Sequence, residues 1–230
     1  MTITANAVTK EFIRQGKGTN RFVAVRPTDI VIEQGRLTLL TGRSGSGKST
    51  LLNMLAGLLI PTSGKVLCDD SNIYTLDDEK LSAFRMEHIG VIPQGQTAVH
   101  SLNVLENICL SYMIRGTDSE RSNARAYARE LCERFGIAGL EEEMPSALSG
   151  GELRRMAVAR AMIRKPDVIF ADEPTCDLDD ENTELMLKIL KETAESGTAV
   201  FMVTHEKDAL GYADVRYSMN AGEISLAVER

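Results

Sequence analysis

Gly42-Arg43-Ser44-Gly45-Ser46-Gly47-Lys48-Ser49 decides the reading of this chain. The octapeptide matches G-x-x-x-x-G-K-S and is followed by Thr50. It lies between an apolar run, Leu37 to Thr41 (LTLLT), and a helix-like stretch, STLLNMLAGLL. Strand, tight loop and helix form the context in which this pattern cradles an anion. The glycines permit a turn whose amides converge on phosphate oxygens, and the following helix aims its positive N-terminal dipole at the same charge. Lys48 is suited to the β- and γ-phosphates, and the Ser49 hydroxyl to Mg2+. A glycine-rich turn that binds nothing is the bland alternative, and the agreement of motif with flanks argues against it. By itself the loop specifies a nucleoside triphosphate and no particular reaction.

Outward from the loop, two further apolar runs end in polar side chains. Val168 to Ala171 (VIFA) leads into Asp172 and Glu173, and Ala199 to Thr204 (AVFMVT) leads into His205. Runs so uniformly apolar fit strands covered on both faces, as in a parallel sheet. The C-terminal edge of such a sheet is where ligands collect. Asp172 there can hold Mg2+ through its water shell, and Glu173 can accept a proton from attacking water. Gln94, in VIPQ after a short apolar run, carries an amide able to donate and accept, which suits it to both metal and water. A lone Gln is otherwise surface decoration, a lone His a structural residue, and an Asp-Glu pair a solvated loop.

Short strands alternating with helices predict an α/β chain with a mostly parallel core sheet. Thr2 to Glu33, rich in Thr and Val and holding the loop Gly16 to Asn20, predicts antiparallel strands. The section from Gln94 to Lys165 predicts helices. Within it, Glu120 to Phe135 places Ala124, Ala128, Leu131 and Phe135 on one face. Pro145 and Gly150-Gly151 interrupt the pattern, GELRRMAVARAMIRK resumes it, and Pro166 ends it. Residues 1–230 therefore read as one domain with a helical part inserted at about 95–165.

A chain that is 43% hydrophobic and 26% charged is globular rather than disordered. The net charge of -7 argues against a general nucleic-acid binder, which needs a surplus of Lys and Arg. Cys68, Cys109, Cys132 and Cys176 show no C-x-x-C spacing, so neither a zinc site nor a disulfide framework is expected, and reducing cytosol is the expected setting. No apolar run approaches the ~20 residues needed to cross a bilayer, and MTITANAVTKEF lacks a signal-peptide layout. Any membrane part is expected from another chain.

Leu148-Ser149-Gly150-Gly151-Glu152 opens the helix LRRMAVARAM. Two glycines let amides approach a phosphate, Ser149 adds a donor, and the helix dipole favours the anion. As a bare tetrapeptide, LSGG is more often a helix start with a Ser cap. With this motif in this order, the sequence resembles the ABC ATPase family over nearly its whole length. Gly42 to Ser49 matches the family's phosphate loop, Gln94 its Q-loop, Leu148 to Glu152 its signature and Val168 to Glu173 its second nucleotide motif. Cys176-Asp177-Leu178-Asp179 is similar to the D-loop and His205 to the switch histidine. Phe12 sits where the family often has an aromatic ring on adenine, with Phe22 as an alternative.

The resemblance implies a P-loop NTPase of the ABC ATPase fold, with an antiparallel β subdomain and an inserted α-helical subdomain. It implies ATP and Mg2+ as cofactors, Asp179 among the nucleotide-binding residues, and a head-to-tail homodimer in which Ser149 and Gly150 of one copy act at the site of the other. It also implies integral-membrane permease subunits as partners, at the cytoplasmic face of the membrane. The residues Gly95 to Leu102 are expected to line the groove for a permease helix, with Ala98 and Val99 as small apolar contacts. PTSGKV, VLENI and ADEPTCDLD look most like cassettes of lipoprotein-releasing, macrolide-exporting and antimicrobial-peptide-resistance systems. The chain departs from these in GQTAVHS and in ELRR after the signature glycines. A non-transport cassette that regulates a membrane complex, such as a cell-division assembly, is the alternative.

Overall fold

A computed structural model describes residues 1–14, 20–95 and 97–229; Gly16 to Thr19 of the predicted N-terminal loop lie outside the described residues. The chain opens with strands β1 (Ile3–Arg14) and β2 (Asn20–Ile32), then β3 (Leu37–Gly42), helix α1 (Lys48–Leu55), β4 (Ser63–Cys68) and β5 (Ser71–Asn72). Next come α2 (Asp78–His88), β6 (Ile89–Ile92) and four helices, α3 (Val104–Ile108), α4 (Leu110–Ile114), α5 (Asp118–Arg134) and α6 (Gly150–Met162). The chain then returns through β7 (Val168–Asp172), α7 (Asp180–Glu195), β8 (Ala199–Thr204), β9 (Val215–Asn220) and β10 (Glu223–Glu229).

Two sheets result, one of order β2-β1-β4-β5 with antiparallel pairing and one of order β10-β9-β3-β8-β7-β6. The second is parallel except at β10, which turns back on β9 through Ala221 and Gly222, both at positive φ. The three uniformly apolar runs are its central strands and are buried on both faces. Alternate residues enter different cores, as a period of two requires. Leu39, Ile169, Ala171, Val200 and Met202 pack under the α3 to α7 layer, whereas Leu40, Val168, Phe170, Phe201 and Val203 pack against α1 and the antiparallel sheet. Among the described residues no helix is long and apolar enough to cross a membrane.

The expected long amphipathic helix is α5, opened by a capping box between Thr117 and Glu120 and buried through Ala124, Ala128 and Leu131. Asn103 and Glu106 make the same reciprocal bonds at the start of α3. Residues 97–103, in the section expected to be helical, are irregular instead. Their order comes from Asn107, a fully buried amide that accepts from the Val99 N–H at 2.8 Å and donates among the carbonyls of Val99, Leu102 and Asn103. One side chain thereby satisfies main-chain groups that a helix would satisfy itself.

All four cysteines are free thiols; Cys109 and Cys132 are buried, and burial pushes the Cys132 thiol up to about 11.

Asp214 closes the sheet to its outer helix. Its carboxylate accepts from the Leu37 N–H at 2.8 Å and from Lys191 on α7 at 2.7 Å. Partial burial opposes ionisation, but these bonds and the Lys191 charge outweigh it and hold the carboxyl below its usual range. Such a group stabilises the fold fully above the unfolded-state value near ~3.9, and the contribution disappears as pH falls through the folded-state value. Asp214→Asn is therefore expected to cost about 1 kcal/mol, or about 2–4 °C in Tm, at neutral pH. The gap from wild type should close in acid, which thermal melts across pH will check; a pH-independent gap contradicts the assignment.

Candidate nucleotide-binding site

Register brings the predicted residues together. β3 pairs with β8 (Thr41 opposite Thr204), β8 with β7 (Val203 opposite Asp172), and β7 with β6 (Ala171 opposite Ile92). The residues at and just beyond these strand ends, Gly42 to Ser49, Glu173, His205 and Gln94, therefore emerge on one edge of the sheet. They meet in a cleft of about 600 Å³ lined by Phe12, Lys48, Ser49, Gln94, Glu173 and His205 among others.

The loop lies close against both sheets, Gly42 against β9 of the second and Gly47 against β2 of the first. Gly42 has φ 159 and Gly47 φ 110. A Cβ on Gly47 would lie 2.2 Å from the Ala24 carbonyl oxygen, and one on Gly42 2.3 Å from that of Met219. No other residue fits either position without moving backbone. Gly45, also at positive φ, has open space around it. Arg43, Ser44, Gly45 and Thr50 line the cleft. The buried Ser46 hydroxyl oxygen has no hydrogen-bond partner among the described residues, as expected of a group kept for a ligand.

Lys48 is buried and arches over the loop, donating to the Gly42 carbonyl at 2.9 Å and the Arg43 carbonyl at 3.2 Å. Its ammonium stands 3.8 Å from Glu173 Oε1. The Ser49 hydroxyl donates to Asp172 Oδ1 at 3.1 Å, so the two residues expected to face Mg2+ are adjacent. Burial raises the Asp172 carboxyl above its ordinary range; the Ser49 bond and Lys48 oppose this, and the neighbouring Glu173 adds to it. A hydroxyl and one carboxylate suit Mg2+, which keeps waters and binds phosphate oxygens rather than filling an all-protein cage. The orphaned Ser46 oxygen, the two constrained glycines and this oxygen pair together fit a Mg-nucleotide.

Glu173 is 5% exposed and sits at φ 48, a left-handed conformation uncommon for a side chain of this size. Its N–H is held by the Val203 carbonyl at 2.8 Å, so pairing to β8 carries the strain. Its Oε2 lies 3.0 Å from His205 Nδ1, and that ring is otherwise largely exposed. Phe12 and Phe22 are directly paired across β1 and β2, and both line the cleft. The geometry brings both rings to the site without choosing between them.

The signature lies apart. None of Leu148 to Glu152 lines the cleft. Leu148 packs against the helical core, and Ser149 caps α6 reciprocally with Glu152, whose carboxylate accepts from the Ser149 N–H and hydroxyl, both at 2.7 Å. The Gly150 position is open on its side-chain side, whereas a Cβ on Gly151 would meet Asn182 Oδ1 at 2.8 Å. Asn182 joins two parts of the surface here, accepting from Arg155 and donating to both oxygens of Asp179, the cap of α7. Sequence reading missed Asn182 and Asn107, since an asparagine inside a helical stretch gives no local signal for a contact made across the fold.

Comparison with known proteins supplies the family. The ABC transporter family profile matches residues 25–176. The chain is 37% identical over 221 residues to the lipoprotein-releasing system ATP-binding protein LolD of Myxococcus xanthus, covering 96% of each. It is 36% identical over 219 residues to the probable syringafactin export ATP-binding/permease protein SyfD of Pseudomonas syringae pv. syringae, spanning 95% of this chain and 33% of that one. The dimeric post-hydrolysis structure of the ATP-binding cassette MJ0796 bound to ADP and Pi superposes with a TM-score of 0.86 at 30% identity, covering 99% of both chains. With the phosphate loop, the carboxylates and the signature on the scaffold expected of them, the chain belongs to the ABC transporter family as one of its ATP-hydrolysing, ATP-binding cassettes.

Proposed function

We propose that this chain hydrolyses Mg-ATP as half of a homodimer and drives a separate integral-membrane permease, in an exporter or substrate-extraction system of the lipoprotein-releasing and macrolide-exporting kind. The observation that carries the reading is the convergence of Lys48, Ser49, Asp172, Glu173, Gln94 and His205 at one sheet edge. In this reading residues 1–230 are one nucleotide-binding domain, with the helical part inserted between β6 and β7. The amides of Gly42 to Ser49, Lys48 and the Ser46 hydroxyl hold the phosphates, and Phe12 or Phe22 carries the base. Ser49 and Asp172, with Gln94, would hold Mg2+, which supplies charge neutralisation at the phosphates. Glu173 takes a proton as water oxygen bonds to the γ-phosphorus and the bond to ADP breaks. His205 keeps the Glu173 carboxylate aimed and reaches the γ-phosphate.

The permease is the finer part of the reading. The ATP-binding/permease relative SyfD joins an ATP-binding part to a permease in one chain about three times as long, which supports a membrane partner for a chain that holds the ATP-binding part. The docking groove falls at Val99 and the adjoining α3-α4 surface, where Met113 is exposed and lines a hollow of about 500 Å³ with Glu106 and Tyr112. Ala98 is a poorer contact than its size suggested, because it packs against the chain's own helical core; Gln96 lies outside the described residues. In this reading the chain works at the cytoplasmic face of the membrane, held there by its partner.

The test is phosphate release by the purified chain, alone and with membranes that hold the permease. Wild type should release phosphate from Mg-ATP and be stimulated by the membranes. Val99→Glu and Met113→Glu should abolish the stimulation and the membrane association, with the basal rate held within about twofold, because a charge buried at an interface without a partner is costly. A chain that releases no phosphate in either setting sinks the enzymatic reading; unchanged stimulation in both variants sinks the docking surface.

A further inference from the structure

The three arginines of α6 all reach away from their own helix. Arg160 donates to the Thr97 carbonyl at 2.8 Å and to the Thr97 hydroxyl, and Arg155 to Asn182. Arg154 is the most deeply placed, with 8% of its surface exposed. Its Nη1 donates to the Pro93 carbonyl at 3.2 Å and the Gly95 carbonyl at 3.1 Å, on either side of Gln94. Its Nη2 reaches the Cys176 carbonyl at a long 3.5 Å, in the loop that leads to Asp179. Among the described residues it forms no ion pair with a carboxylate. Beside it a cavity of about 70 Å³ separates Gly95 and Ala98 from Cys176 and Leu178.

A buried cation held by carbonyl dipoles alone is costly unless the geometry is well satisfied. The fork of the guanidinium is what allows one side chain to bond two segments far apart in sequence. Gln94 itself is exposed, lies next to Gly95 at φ 83, and belongs to no helix or strand. Its neighbours are thus fixed from α6 rather than by local structure.

Resting on the nucleotide-site reading above, we propose that Arg154 is a positioning residue for hydrolysis, which clamps the chain on both sides of Gln94 and ties it to the segment before Asp179. It acts on turnover through Gln94 and makes no contribution to nucleotide capture. ELRR, the departure noted after the signature glycines, is then the sequence trace of a clamp that this chain builds with an arginine.

The experiment is a double-mutant cycle on kcat and KM for ATP. Arg154→Met, which keeps the stem and removes the fork, should lower kcat about 10- to 100-fold with KM within about threefold, the cost of loosening a positioned group. In a Gln94→Ala background the same change should cost less than about threefold, because the group it positions is gone. Arg154→Lys, which keeps the charge and loses the fork, runs through the same cycle and serves if Arg154→Met fails to fold. Equal losses in both backgrounds, a kcat at the wild-type level, or a rise in KM alone overturns the proposal while leaving the nucleotide-site reading intact. A Gln94→Ala variant with full turnover overturns the role of Gln94 and the proposal with it.

Discussion

Glu173→Gln is expected to lower ATP turnover by about 10²- to 10⁴-fold while nucleotide binding survives. The substitution is nearly isosteric, and the backbone that sets the side chain is held independently by the bond from the Glu173 N–H to the Val203 carbonyl. What changes is chemistry. A carboxylate 3.8 Å from Lys48 and 3.0 Å from His205 Nδ1 can accept a proton from water, and an amide cannot. Removing a negative charge beside a polyanion's binding site does not weaken its capture, since like charges repel at that range. Single-turnover phosphate release and equilibrium binding of a fluorescent nucleotide separate the two effects. Release at near wild-type rate would show that another group takes the proton.

The second large effect is expected from mixing two inactive variants. In one chain the signature glycines stand outside the cleft that holds Lys48 and Glu173, which is the arrangement a site shared between two copies requires. Gly150→Arg blocks the signature surface without an internal clash, because the side-chain direction there is open, and it leaves the Ser149–Glu152 cap in place. Lys48→Ala removes the ammonium proposed to face the phosphates. Each variant alone should be inactive, since every composite site then lacks one half. In a heterodimer one site loses both halves and the other keeps both. An equal mixture should therefore recover up to about a quarter of wild-type activity, with half the dimers mixed and one intact site in each. Titrating one variant into the other while following phosphate release should give a maximum near equal amounts. No recovery in demonstrated heterodimers would count against a shared site.

Much of the site was legible because its parts are short and announce themselves locally. A glycine-rich loop between an apolar strand and a helix states its own geometry, and the runs ending at Asp172 and His205 predicted strands whose ends lie at one edge. The helix α5 was readable from its spacing of three and four. Gln94 and His205 were legible differently, as single residues whose meaning came from the order of motifs around them. The placement of Gln94 rests on β6 running parallel beside β7, which four residues of sequence do not disclose. The irregular segment 97–103 was read as helical for a similar reason. Its backbone is satisfied by Asn107, a contact that periodicity does not encode.

The sequence by itself determined the chemical groups this protein carries, a glycine-rich loop with its lysine and serine, two acids and a signature, together with the α/β alternation that holds them. These are properties of residues close in the chain, where backbone freedom, side-chain type and apolar period act directly. Only the tertiary structure decided that the signature stands apart from the cleft, that Glu173 is held at a strained φ by β8, and that Arg154, Asn107 and Asn182 tie the loops together. Those facts depend on strand order and on side chains meeting across tens of residues. Such contacts form only once burial of the two cores has fixed the sheet, so no local pattern records them in advance.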